Sequence, residues 1–337
     1  MTDEVDPPDG SSVDASLTDV PGGGRNRLNN AIVVIMMSTL AVLGAPLAAF
    51  IMGVPDREDR EASSRTPAPV GSTDSDPIPE SDGGPAPERD AELDSVVATF
   101  NVLGGSHTAA GGKAPELSSG PVRMRQAVRL LEADDVDVVG FQELQGPMAQ
   151  EFVEVARDRW RLFHAEGDTE NALAWRRTTW ALVDADTVDV PYFNGNRRPM
   201  PVVRLRHRET GGDVWFINVH NPANTDRFPQ QQSGRAAALR IERTLVRRLA
   251  RGGSEVILLG DFNQRAGAFC HFTQSGLMQS ATGEKRRKEC QVPEYDGIDW
   301  IFGTRGLEFS DWNVRDDEPV DLTSDHPLVT VAVRLPR

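Results

Sequence analysis

Asp261 and Asn263 stand two positions apart behind the run Val256-Ile257-Leu258-Leu259-Gly260. Four apolar residues, two of them β-branched, read as a buried strand, and Gly260 ends it. Side chains at i and i+2 on extended backbone point the same way. A carboxylate and an amide oxygen are therefore offered together at the carboxyl end of a sheet strand, a place suited to a hard cation or a phosphate. Taken alone, the same residues equally describe a strand followed by an Asx turn.

Other strand-like runs end in polar groups too. Residues 96–100 lead into Asn101, 136–141 into Gln142 and Glu143, and 215–219 into His220 and Asn221. Asp299 lies inside the apolar run 297–302, and Ser324-Asp325-His326-Pro327 precedes the run 328–333. Polar residues converging from several strand ends form the pattern of an active site rather than of a core.

The elements that must position these residues follow in order. Apolar residues at helical spacing predict helices over 121–132, 147–157, 230–249 and 266–272. Short alternating runs predict strands over 160–164, 172–175, 180–190, 202–205 and 214–219, the last two joined as a hairpin through Gly211-Gly212. Residues 192–201, which include Arg197 and Arg198, read as a polar loop. Strands over 298–302, 307–313 and 329–333 close the chain, and two packed sheets covered by helices accommodate the count.

The chain has 337 residues and a formal net charge of -15. Pro, Gly, Ser and Asp crowd its first 92 positions, and most of the acidity belongs there. Residues 1–30 read as a disordered tail, 31–54 as a membrane-spanning signal anchor, 55–92 as a Pro- and acid-rich tether, and 93–337 as one catalytic domain. A cleaved signal peptide is the competing reading of the apolar segment. Lys and Arg flank the span almost equally, so charge does not set its orientation. A long domain behind an N-terminal anchor is expected outside the cell membrane. Cys270 and Cys290 fit that location if they bridge, although two free thiols satisfy the sequence as well. The run 284–289, with Lys285, Arg286, Arg287 and Lys288, reads as a solvated loop or as a contact for a polyanion. No zinc spacing, dinucleotide fingerprint or internal repeat is present.

The ordered set Thr99-Phe100-Asn101-Val102, Gly140-Phe141-Gln142-Glu143, Asn218-Val219-His220, Gly260-Asp261-Phe262-Asn263, Gly297-Ile298-Asp299-Trp300 and Thr323-Ser324-Asp325-His326-Pro327 resembles the endonuclease/exonuclease/phosphatase superfamily, of which deoxyribonuclease I is the best-known member. The resemblance spans nearly all of the chain from residue 96. It implies an α/β fold in four layers: two mixed β-sheets face to face, flanked by helices. It implies Asn101 and Glu143 as metal ligands, with Asp325 helping to hold the ion. Asp261 and Asn263 would orient the attacking water and the phosphate. His326 would be the general base or the phosphate-side imidazole. His220 would lie near the leaving oxygen, with Asp299 as its carboxylate partner, and Arg198 would contact phosphate. Asp168 and Glu170 are the acids nearest the place expected for a carboxylate supporting His326.

The implied chemistry is sound on its own terms. A phosphodiester repels hydroxide, so charge must first be neutralised, and Mg²⁺, or Mn²⁺ in its stead, does this while keeping positions open to phosphate oxygens. Histidines with ordinary pKa values near 6.5 can share the proton transfers. The expected activity is metal-dependent hydrolysis of a phosphodiester, with extracellular nucleic acid as the first substrate class. Alternatives are a sphingomyelinase-like lipid or small-molecule phosphodiester and, from another class, a catalytically silent binding module at the cell surface. The sequence leaves the oligomeric state open.

Overall fold

A computed structural model describes residues 50–52, 94–283 and 290–335. The expected tail, most of the anchor, the tether and the basic run 284–289 lie outside them. The described residues belong to one of the chain's two units, Leu47–Arg337.

In chain order the strands are β1 (Phe50–Met52), β2 (Asp94–Asn101), β3 (Val138–Gln142), β4 (Trp160–Ala165), β5 (Asp168–Arg176), β6 (Trp180–Pro191), β7 (Arg197–His207), β8 (Asp213–His220), β9 (Glu255–Asp261), β10 (Met278–Ser280), β11 (Asp299–Thr304), β12 (Glu308–Arg315) and β13 (Leu328–Arg334). The helices are α1 (Gly105–Thr108), α2 (Gly120–Ala133), α3 (Gly146–Ala156), α4 (Gln232–Ala250), α5 (Ala266–Thr273) and α6 (Glu318–Asp321). One sheet has the order β1-β4-β5-β3-β2-β13-β12 and the other β10-β11-β9-β8-β7-β6. Each holds one parallel pair, β2 with β3 and β8 with β9, among antiparallel neighbours. Both sheets are therefore mixed, as the resemblance implies.

Period-two alternation sorts the apolar side chains into three interlayer spaces. Val97, Val138, Phe216, Ile257, Leu259 and Val331 meet between the sheets. Their strand neighbours Ala98, Val139 and Phe141 turn outward beneath Met124, Leu131 and Phe152 of α2 and α3. On the far side Ile217, Val256 and Leu258 pack under Leu239, Val246 and Phe272 of α4 and α5. Helix, sheet, sheet and helix are thus the four layers. Burying each such side chain contributes about 1.5–3 kcal/mol, and this holds the strand ends in common register.

One element differs from expectation near the site. The stretch read as a loop over 192–201 is strand from Arg197 onward, pairing Pro191↔Arg197 and Val190↔Arg198. Pro199 and Pro201 disguised it. They are tolerated because β8 pairs with β7 only from Val202, which leaves one side of that stretch without a ladder. Of the expected span 31–54, only Phe50–Met52 are described, as a short strand paired with β4; the rest of that span lies outside the described residues. No helix among the described residues is long and apolar enough to cross a membrane.

Candidate active site

The two parallel pairs direct the C-terminal ends of β2, β3, β8 and β9 toward one end of the sandwich. Asn101 closes β2, Glu143 follows β3, His220 closes β8 and Asp261 closes β9. Register sets His220 opposite Asp261 across the parallel pair, and Asp261 opposite Asp299 across the antiparallel one. Gly260 makes this approach feasible. Its φ of 140° and the Val219 backbone against it leave no room for a Cβ. The apolar run before Asp261 therefore needs glycine at its end.

Asp261 is the hub. Only 1% of it is exposed, and so is only 1% of Asp299. Its Oδ1 accepts the Asn263 backbone N–H at 2.8 Å, the Asx turn contained in the sequence reading. Its Oδ2 accepts from the Asn101 side-chain amide at 3.3 Å, and His220 Nε2 and His326 Nε2 lie 3.5 and 3.9 Å from it. The same Asn101 amide donates to Glu143 Oε1 at 3.3 Å. Two acidic oxygens thus converge on one electropositive group. Glu143 and Asn263 both sit at positive φ, 59° and 50°. Such strained backbone persists only where the surroundings fix it. For Glu143 these are the Gly104 N–H at 2.8 Å and the Leu144 N–H bonded to the Glu170 carbonyl.

Asp299 does not support His220. Its Oδ2 holds His326 Nδ1 at 2.9 Å, while His220 Nδ1 is buried with no hydrogen-bond partner among the described residues. The reason is register: Asp299 begins β11 beside the segment that leads into β13, on the far side of Asp261 from β8. Asp168 and Glu170, the acids expected near His326, instead bind Arg198 at 3.2 and 2.8 Å. The Arg198 guanidinium also lies 4.3 Å over the Tyr192 ring, which in turn meets His220 edge-on at 6.2 Å between centroids. Asp325 turns its carboxylate to Lys113 at 3.0 Å, near the surface.

Electrostatics separates the two histidines. Burial opposes charge on His326, but the Asp299 carboxylate and its hydrogen bond, with Asp261 behind, raise its pKa to about 10. His326 is an imidazolium at neutral pH. Burial outweighs Asp261 and Glu143 at His220 and holds it below the ordinary value, neutral. Burial and the charge of Asp299 push Asp261 upward. Burial also works against Glu143, yet the His107 hydrogen bond, the field of His220 and the Gly104 N–H draw it well below the carboxylate range.

His107 escaped the sequence reading. It sits on α1 with its Nε2 3.2 Å from Glu143 Oε2. Its one signal was its place in a glycine-rich loop six residues after Asn101, a proximity that no periodicity encodes. Arg123 is similar. Buried in α2, it donates to the carbonyls of Val102, Leu103 and Thr323 and so ties the loop after β2 to the segment carrying His326.

Asp261, Asp299 and His326 each offer an atom within 4.8 Å of the others, a group that could hold a divalent ion once His326 gives up its proton. A metal-binding carboxylate and imidazole cluster at the mouth of two mixed sheets, with an arginine beside it, defines a metal-dependent phosphoester hydrolase. The endonuclease/exonuclease/phosphatase family profile matches residues 98–326, and the chain belongs to that family. Among solved structures it is similar to a family member from Bacteroides thetaiotaomicron, with 17% identity over 71% of this chain and 97% of that one and a TM-score of 0.56. It is similar also to the Bacteroides thetaiotaomicron mannosyl-6-phosphatase, with 17% identity, 71% and 99% coverage and a TM-score of 0.54. D. rerio TDP2 complexed with a single-strand DNA product matches at 15% identity, 72% and 99% coverage and a TM-score of 0.53. No curated protein sequence matches the chain.

Proposed function

We propose that this protein hydrolyses phosphodiesters with Mg²⁺, or Mn²⁺, and that its substrate is nucleic acid outside the cell membrane. The observation that carries the reading is the opposed pair of histidines about one buried carboxylate. His220 is held neutral and His326 cationic, 3.5 and 3.9 Å from Asp261. Environments that push two like groups apart in pKa assign acid and base roles.

The hard, oxygen-seeking ion suits Glu143, the Asn101 amide oxygen and Asp261 better than the imidazolium of His326. Asn101 now donates to both carboxylates and would turn its amide to offer oxygen. Asp325 would join the ion by leaving Lys113. When bound, the metal supplies charge neutralisation and polarises the phosphate. Around it, Asp261 accepts a proton from the attacking water, His220, 3.5 Å away and neutral, takes that proton on and delivers it to the leaving oxygen, and Asn263 donates to a phosphate oxygen. His326, backed by Asp299, supplies a charged donor to the phosphate. This is the phosphate-side role rather than the general-base role. Arg198, held by Asp168, Glu170 and Tyr192, presents a fixed guanidinium to the substrate.

The Cys270–Cys290 disulfide supports an oxidising compartment, and with it the anchor over 31–54 and an external domain. The DNA product on D. rerio TDP2 supports the nucleic-acid class. Plasmid nicking by the purified full chain with Mg²⁺ or Mn²⁺, beside Asp261→Asn, is the test. Nicking that needs metal and is lost in the variant is expected. Absence of nicking by a folded, metal-binding protein would overturn the substrate class.

A further inference from the structure

α4 buries a carboxyl group that the proposed chemistry does not use. Glu242 is 0% exposed, one helical face with Ala238, Leu239, Leu245 and Val246, all packed on the second sheet. Neither of its oxygens makes a hydrogen bond of full geometry to a described residue. Asn221 is also 0% exposed, and its side-chain nitrogen and oxygen are orphaned as well. These two side chains face each other, the Asn221 amide being the hydrogen-bonding group beside the Glu242 carboxyl. Four buried polar atoms without partners are costly to leave unpaired. One ring of two hydrogen bonds between these side chains would satisfy all four. A protonated Glu242 donates its O–H to Asn221 Oδ1, and Asn221 Nδ2 donates to the other Glu242 oxygen.

The ring has a purpose at the site. Asn221 follows His220, its backbone N–H donates to the Asp261 carbonyl at 2.9 Å, and its carbonyl accepts the Asn263 side-chain amide at 2.8 Å. Its backbone therefore joins three of the residues assigned to the reaction. A second brace from the same helix lies beside it: Arg235 donates to the Pro222 carbonyl at 2.8 Å and to Asn224 Oδ1 at 3.1 Å.

We propose that Glu242 is a positioning residue that acts as a neutral carboxylic acid, clamping Asn221 in a two-hydrogen-bond ring and so fixing His220, Asp261 and Asn263. An ionised Glu242 would turn a lone pair against Asn221 Oδ1 and open the ring. Its surroundings keep it neutral. Burial raises its pKa to about 8 against the smaller, opposite pull of the Asn221 amide, and no charged group among the described residues exerts a resolved pull on it; Arg235, two turns away on α4, is committed to the loop. The proposal rests on the roles given above to His220, Asp261 and Asn263.

The test compares Glu242→Gln, Glu242→Leu and Asn221→Ala in the full chain. Glutamine rebuilds the ring as an amide pair, whereas leucine fills the space without it. With bis(p-nitrophenyl) phosphate and Mn²⁺, Glu242→Gln should keep kcat within about twofold and lose the fall in activity near pH 8, while keeping the later fall near pH 10 that His326 sets. Glu242→Leu and Asn221→Ala should each lower kcat at least tenfold with KM unchanged, and the double variant should be no worse than either alone. The Asn263 side-chain amide resonances should shift in Glu242→Leu and stay in place in Glu242→Gln. A folded Glu242→Leu with wild-type kcat and unshifted Asn263 resonances overturns the proposal. So does a Glu242→Gln that retains the fall near pH 8. If the wild type cleaves no phosphodiester, the proposed reaction fails, and the Asn263 resonances alone still decide the clamp.

Discussion

Asp299→Asn tests the electrostatic core of the mechanism with almost no change of shape. The carboxylate sits 2.9 Å from His326 Nδ1 and is 1% exposed, so solvent screens the pair little. With it in place the His326 pKa is about 10. A single opposite charge at this range supplies about 1–3 units, and at 1.36 kcal/mol per unit its removal favours the neutral imidazole by about 1.4–4 kcal/mol. Asp261, 3.9 Å from Nε2, retains part of the pull. Proton-detected NMR of the His326 ring should place the wild-type titration near pH 10 and the variant's one to three units lower. The alkaline limb of kcat near pH 10 should move by the same interval. Loss of the imidazolium above that limb should cost about 10²–10⁴ in rate, the usual share of a positioned acid or base. Stability follows with a definite sign. The folded value lies above the ordinary 6.5, so His326 contributes fully below pH 6.5, and its contribution is lost as pH rises toward 10. Urea unfolding should show that decline in the wild type and a shallower one in Asp299→Asn. A wild-type His326 that titrates near 6.5 would refute the reasoning.

Four further outcomes follow. Asp261→Asn should keep the fold by circular dichroism and lower kcat by at least about 10³, since the hub would no longer accept a proton. Arg198→Lys should recover little of the activity lost in Arg198→Ala, measured as kcat/KM. A point charge cannot bridge Asp168 and Glu170 while stacked on Tyr192 as a planar guanidinium does. Reduction of Cys270–Cys290, or Cys290→Ser, should cost about 3 kcal/mol for a loop of 20 residues, seen as a fall in Tm by calorimetry. Gly140→Ala should destabilise by about 1–3 kcal/mol in urea. Its new methyl would strike Leu259 and the Asn218 side chain, which bonds Gln142, Phe141 and Ala172 between the sheets.

The local sequence was enough for most of the scaffold. The unbroken apolar run Val256 to Leu259 marks a strand covered on both faces, and the spaced Met124, Ala127, Val128 and Leu131 mark a helix with one face on the core. The strand-end residues Asn101, Glu143, His220, Asp261 and Asn263 were legible for the same reason: each closes or follows an apolar run, and parallel pairing sends those ends one way.

What the sequence by itself determined is which groups stand at the ends of strands. Which group touches which was decided by tertiary structure alone. Asp299 serves His326 and not His220 because β11 pairs with β9 at a register that sets Asp299 opposite Asp261. Asp168 and Glu170 serve Arg198 because β7 extends back to Arg197, past the point where β8 stops pairing. His107 reaches Glu143 through a loop with no period at all. The opposite pKa displacements of His220 and His326 likewise arise from burial and from neighbours distant in sequence. Periodicity encodes a residue's face, whereas register across a ladder, loop closure and desolvation depend on chain segments that meet only when folded.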